Sequence, residues 1–458
     1  MAVVPPLDPS FRPASLVHRA IRREAARAGE TPLRLALERR DGSISTFGTV
    51  ALPASSPMAP LNLAYAERIV KFLLWQRGGW RLTVGGPDGV AEHLRRVYAP
   101  GGARAFDYDF MSRVYEHPFT VLSAAPDDVP ATRESTSPLG RHLDGCRVGF
   151  DLGASDRKAS AVIDGEPVYS EEVPWDPRNN PDPEYHYQGI VDSITRARAH
   201  LPRLDAVGGS AAGVYIGNRV RVASLFRGVP QEVFDERVAD MFLRIGRELG
   251  TPLEVVNDGE VTALAGSMSL DDNPVLGVAM GSSEAAGYVT PEGNITGWLN
   301  ELAFAPVDYR SGAPIDEWSG DVGCGVQYFS QQGAIRVALA AGMMFEPGSD
   351  LPTRLEILQE RMAAGDGLAR QVYETIGACL GYAVAHYAEF YTLKHVLVLG
   401  RVTTGEGGEV LLDWARRALR ADFPELAERI SLVLPDEKSR RVGQSVAAAS
   451  LPELERCG

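Results

Sequence analysis

Residues 148–165, VGFDLGASDRKASAVIDG, constrain the fold more than any other part of the chain. They read as an apolar strand, a turn of small and polar residues, and a second strand. The bend therefore holds Asp151, Gly153, Ser155 and Lys158. Small residues at such a tip let backbone N–H groups approach an anion, Ser155 adds a hydroxyl donor, and Asp151 can hold water on a magnesium ion. A plain chain reversal uses the same residues. Two further glycine turns bear on the choice. AMGSSEAAG, 279–287, puts Gly281, Ser282 and Ser283 at a similar hairpin tip. LGRVTTGEGG, 399–408, follows an apolar strand and precedes a helix, so Gly400, Arg401 and Val402 stand where a nucleotide can pack on backbone at a helix N-terminus. Each turn alone is common. Their order carries more information than any one of them.

VVNDGEVTALAG adds a fourth element: Asn257 and Asp258 lie where an apolar strand ends and a helix begins. Asn and Asp are favoured there as N-caps, because they satisfy orphan amides. The other reading is a carboxylate placed to take a proton from a hydroxyl, as phosphoryl transfer requires. The position between two phosphate-type hairpins favours the second.

The remaining sequence sets the frame. A chain of 458 residues is too long for one core and implies two or three domains. A net charge of -14 argues against nucleic acid as the main partner. Cys146, Cys324, Cys379 and Cys457 form no CxxC pair, and no apolar run approaches the ~20 residues that span a bilayer. No signal-peptide pattern opens the chain. The expectation is a cytoplasmic protein without membrane contact. Residues 1–143 read as a small α/β domain and a linker, with a hairpin at Asp41-Gly42 and a helix ending at Gly78-Gly79. Residues 144–270 and 271–458 then read as two related α/β lobes, with the C-terminal helix free to return to the first. AVGGSAAGVYIGNRVRVASLF is expected to form two strands around a turn, and QEVFDERVADMFLRIGRELG one amphipathic helix.

In their order, GFDLGASDRKASAVID, NDGEVTALAG, VLGVAMGSSEAAGYV, NELAFAPV and VLVLGRVTTGEGGEVLL resemble the actin-like ATPase superfamily of hexokinases and Hsp70, and within it the ROK group of sugar kinases and repressors. The resemblance covers about two thirds of the chain. It implies a two-lobed, ribonuclease H-like α/β core with an additional N-terminal α/β domain. It implies Mg-ATP between the lobes and phosphorylation of a sugar or sugar-like hydroxyl compound. Asp258 is then the general base and Asn257 a sugar-hydroxyl partner. Asp151 acts on magnesium, Ser155 on phosphate, Gly281 and Ser282 cradle the β/γ-phosphates, and Gly400 lies near the adenosine. Glu301 matches the glutamate of the GEIGH sugar-site pattern.

Departures from that pattern are equally specific. Phe304 stands where the pattern has His. Cys324 is the one cysteine where the family has a cysteine-rich zinc loop, so no zinc site is expected. Gly325 and Val326 occupy the neighbourhood of a second sugar-binding Glu, and Ser224 or Arg227 stands in for a missing Asn. The first loop is one residue longer than the family's, leaving the role of Lys158 open. A homodimer is expected by analogy. The alternative function is a non-catalytic sugar-sensing regulator of the same lineage. A protein-directed ATPase is the third reading.

Overall fold

A computed structural model describes residues 1–134, 136–137, 139–435 and 437–454, with side chains for all of these except 136–137 and 437–442. Cys457 lies outside the described residues. The chain divides into two compact units: Met1–Ser135 with Val278–Ala286 and Trp298–Leu434, and Thr136–Gly277 with Gly287–Gly297 and Pro435–Gly458.

The second unit is built on a five-stranded sheet in the order Leu253–Asn257, Ala206–Ala211, Cys146–Leu152, Asp156–Ile163, Glu166–Pro174. The first three strands are parallel and the last two fold back antiparallel. Every residue of Cys146–Leu152 is buried, as expected for a central strand covered on both faces. The Pro183–Arg198 helix packs on this sheet, as does Glu437–Ala449. Two glycines let Glu437–Ala449 settle onto the strands: a Cβ on Gly149 would lie 1.8 Å from the Ser445 carbonyl oxygen, and one on Gly208 1.6 Å from that of Ala448. Val148, Phe150, Val207, Ile190, Ile194 and Phe242 form the core beneath.

Two local expectations need correction here. AVGGSAAGVYIGNRVRVASLF makes three strands rather than two, because the sheet strand ends at Ala211 and Val214–Ile216 pairs with Arg219–Val222 as a separate hairpin. QEVFDERVADMFLRIGRELG is not one helix. A π-helical turn, Phe234–Val238, interrupts it, and Met241–Leu249 starts afresh.

In the first unit a four-stranded sheet runs Ile44–Ala51, Thr31–Glu38, Arg81–Gly85, Thr120–Ser123. The Asp41-Gly42 hairpin forms as read, with Gly42 at φ 79°. The Leu61–Arg77 helix stops at Gly78, whose N–H caps the Leu74 carbonyl. The same unit holds the packed helices Gly367–Tyr387 and Glu406–Asp422, which run in the same direction, with Gly377 against Leu411 and Gly381 against Ala415, and the parallel strands His395–Leu399 and Ser431–Val433. The chain's first residues tie into these later elements: Val3 N–H donates to the Tyr382 hydroxyl at 3.1 Å and Leu7 N–H to Thr375 at 3.0 Å.

Several charged groups buried in this unit are compensated by ion pairs. Asp321 accepts from Arg68 at 2.6 Å, lies 3.2 Å from the Lys71 ammonium and also pairs with Arg104. Lys71 meets Asp107 at 3.1 Å as well. Although burial opposes it, these three cations hold the Asp321 carboxyl well below the usual carboxylate range. The Cys324 thiol, 3.9 Å from Asp321, is pushed up to about 12, chiefly by burial. A second cluster joins His18, His386 and Glu389. The Arg22 guanidinium holds both Glu389 oxygens, at 2.7 and 3.0 Å, and His18 bonds one of them at 2.9 Å. His386 packs edge-on to Phe72 and Phe390. Arg22 and Glu389 form an ion pair, and the two histidine rings beside it lie in an aromatic core.

Candidate active site

The second unit gathers its carboxylates at one edge of the sheet. The register pairs Asp151 with Ser210 and Ser210 with Val256, and likewise Leu152 with Ala211 and Ala211 with Asn257. The three parallel strands therefore end together, and Asp151 and Asp258 flank the strand between them. At ~4.8 Å per strand their backbones are roughly 10 Å apart. Ligands of open α/β sheets bind at this carboxyl edge.

Asp151 is buried, and Ser210 Oγ donates to its Oδ1 at 2.6 Å. Burial raises its pKa, opposed by the Ser210 hydrogen bond and by Lys158. Lys158 sits directly across the hairpin from Asp151 and contacts Asp156 at 3.1 Å. At the tip, Gly153 N–H donates to the Asp156 carbonyl at 2.9 Å, and Ser155 Oγ, which is exposed, donates to the Asp156 carboxylate at 2.9 Å. The Trp175 ring is buried, and its indole N–H donates to the Gly153 carbonyl at 2.8 Å, bracing the turn from behind.

Asn257 does cap the Asp258–Leu270 helix. Its Oδ1 accepts from Gly259 N–H at 2.7 Å, while its amide donates to the Gly213 carbonyl at 2.8 Å. Because Asn257 takes the capping task, the Asp258 carboxyl is left with one local bond, from Gly259 N–H at 3.0 Å. Burial first, and the neighbouring Asp151 second, push Asp258 up to about 6. Gly213 in turn packs against Ala223, which brings the Ser224–Phe226 turn alongside Asn257. Ser224 is half-buried there. Arg227 is exposed, and its charge helps hold the nearby Arg178 below its ordinary value, after burial.

The first unit brings its two glycine turns together. Gly281 N–H closes the tip by donating to the Ser283 carbonyl at 2.9 Å, and Ser282 and Ser283 are exposed. Gly400 adopts φ +100°, and a Cβ there would lie 2.5 Å from the Met280 carbonyl oxygen. The turn that follows the His395–Leu399 strand thus rests on the backbone just before Gly281. Arg401 is exposed, with its carbonyl taken by Gln359 at 2.7 Å, and Val402 is buried. Gly400→Ala combines a disfavoured backbone angle with overlap against main chain. Its expected cost is about 2–3 kcal/mol, read from a shift of the urea midpoint.

Glu301 is half-buried, and its N–H donates to the Trp75 carbonyl at 2.9 Å. Phe304 lies in an aromatic stack, 4.3 Å from Trp75 and 5.6 Å from Phe106 between ring centres. Sequence reasoning passed over Glu284. A carboxylate in the otherwise apolar run EAAGYV is the signal that could have found it. It also passed over Ser210, for which a small residue at a strand end gives no signal.

These donors suit the groups that the resemblance implies. Asp151 and Asp258 place two carboxyl groups at one sheet edge, a donor set that would suit a divalent cation. The Gly281 tip offers backbone N–H groups and two free-standing serines to an anion.

No protein-family model matches the sequence, and no curated protein matches it significantly. Solved structures do match. The ROK hexokinase from Thermus thermophilus aligns with a TM-score of 0.52 at 19% identity, over 66% of this chain and 97% of that one. A ROK family glucokinase from Streptomyces griseus, solved with glucose and AMPPNP, aligns with a TM-score of 0.51 at 19% identity, over 67% and 98%. A ROK family transcriptional regulator, a homologue of the E. coli MLC protein, aligns with a TM-score of 0.53 at 18% identity, over 68% and 78%. At such identities the likeness speaks to fold, and it establishes that this chain is built on the actin-like α/β fold of ROK-family sugar kinases and regulators.

Proposed function

We propose that the chain is a ROK-family, ATP-dependent kinase that phosphorylates a hydroxyl group of a sugar or sugar-like compound, with Asp258 as general base. One observation carries this reading: the Asp258 carboxyl stands at the carboxyl edge of three parallel strands beside Asp151, and is pushed up to about 6. A base with a pKa near the working pH combines a deprotonated ground state with real affinity for a proton. Asp258 removes the proton from the acceptor hydroxyl as its oxygen attacks. Asn257 fixes the start of the helix, so the carboxylate is presented in one orientation. Lys158, across from Asp151, adds positive charge beside the same edge. Mg-ATP, when bound, supplies the phosphoryl group and the metal that offsets its charge. Asp151 is the residue for that metal through water. Ser155, Ser282 and Ser283 are assigned to the phosphates on turns that Gly153 and Gly281 shape, and Gly400, Arg401 and Val402 are assigned to the nucleoside side. Glu301, with Ser224 and Arg227, is assigned to the acceptor.

The test is ADP release from Mg-ATP across a panel of hexoses, pentoses, amino sugars and polyols. ADP that appears only with a particular sugar or polyol is the expected result. Binding of a sugar without turnover would mark a sensor instead, a reading favoured by Phe304 being locked in the Trp75 stack. Equal ADP release with and without acceptor would remove the sugar-kinase reading.

A further inference from the structure

Glu284 opens the Glu284–Val289 strand, directly after the Gly281–Ser283 tip, yet it is only 3% exposed. Neither of its carboxyl oxygens has a hydrogen-bond partner of good geometry among the described residues, and the same holds for the Tyr387 hydroxyl that faces it. Gly325 shows where the carboxyl lies. A Cβ on Gly325 would fall 2.2 Å from Glu284 Oε2 and 2.6 Å from the Leu302 carbonyl oxygen. The absence of a side chain at 325 is therefore what admits the carboxyl against the turn that begins at Glu301. This is also where the sequence lacks a second acceptor glutamate.

A buried carboxyl facing another carboxylate, with no cation against it, stays protonated. The groups facing Glu284 fit that rule: Tyr387 from the Gly367–Tyr387 helix, Glu301 from its own turn, and only backbone from Leu302 and Gly325. Burial and the Glu301 charge push it up to about 8. A neutral carboxylic acid both donates and accepts a hydrogen bond, which a carboxylate cannot do.

We propose that Glu284 is a positioning residue: a neutral acid behind Glu301 that holds the Glu301 turn in the form that receives the hydroxyls of an uncharged sugar or polyol. This rests on the sugar-site assignment of Glu301 in the function proposed above. It adds a substrate class, neutral polyhydroxyl compounds in preference to amino sugars, and it assigns work to a residue that no motif covers.

Binding to the full chain, without turnover, tests it. Calorimetric titrations with D-glucose, D-mannose, D-xylose, D-glucitol and D-glucosamine, and separately with AMPPNP, are compared for wild type, Glu284→Gln and Glu284→Leu. At least one neutral probe is expected to bind wild type more tightly than glucosamine does. Glu284→Gln, which keeps a neutral donor and acceptor, should stay within about threefold. Glu284→Leu should lose about tenfold or more, with AMPPNP affinity unchanged. Wild-type binding should weaken from pH 7 to pH 9, as Glu284 ionises against Glu301, and the Gln variant should not follow. Tyr387→Phe, nearly isosteric, carries the test if the Leu variant fails to fold, with a several-fold loss expected. Unchanged binding in the Leu and Phe variants, equal loss in Gln and Leu, preference for glucosamine, or no binding by any probe would each overturn the proposal. Turnover that survives in Glu284→Leu at full acceptor affinity leaves the kinase standing and removes only Glu284. Glu284-dependent sugar binding without ADP release does the reverse.

Discussion

Asp258→Asn is expected to lower sugar-dependent turnover by about 10²- to 10⁴-fold, the usual contribution of a positioned general base. Asparagine keeps the shape of the side chain and cannot take the proton. Because Asn257 rather than Asp258 makes the helix cap, the substitution leaves the local fold intact. AMPPNP affinity and thermal stability should therefore change little. The pH dependence has a definite sign. The active form is the carboxylate, so wild-type kcat/KM should fall as pH drops through about 6, and the limb belonging to Asp258 should vanish in the variant. Stopped assays from pH 5 to pH 8 with a competent acceptor read both effects. Loss of nucleotide binding together with turnover would mean that Asp258 is structural.

The largest effect on stability is expected at Asp321. Asp321→Ala removes the shared partner of Arg68, Lys71 and Arg104 and leaves positive charge stranded away from water. Breaking a buried ion group from one side costs about 3–5 kcal/mol. Urea unfolding should report a loss of that size, with Asp321→Asn intermediate. The carboxyl is held well below its ordinary value, so its contribution is present above about pH 4 and is lost as pH falls toward its folded pKa. The wild-type advantage should accordingly shrink in acid. A variant as stable as wild type at pH 7 would mean that the cations are solvated rather than buried.

Much of this architecture was legible because it rests on local rules. The hairpin at Asp151–Asp156, the helix stop at Gly78 and the strand-to-helix corner at Asn257-Asp258 each follow from turn and cap chemistry that acts within a few residues. What escaped depends on distant partners. The π-turn at Phe234–Val238 keeps its apolar side packed in the core, a demand the helical period alone does not express. Trp175 braces Gly153 across more than twenty residues of chain, and the buried place of Glu284 becomes visible only when Gly325 is set beside it. The residues proposed to face the acceptor were the least legible for the same reason. Glu301 is held by the Trp75 carbonyl, whose segment lies more than two hundred residues earlier in the sequence.

That long reach has a consequence for biosynthesis. The amino-terminal sheet and the helix bearing Arg68 and Lys71 leave the ribosome well before Asp321 or the Gly367–Tyr387 helix has been made. A nascent chain therefore carries an exposed apolar flank and unmatched guanidinium groups through most of translation, and the first unit closes only when its late partners emerge. Truncated or stalled products ending before residue 300 should be ready clients for holding chaperones.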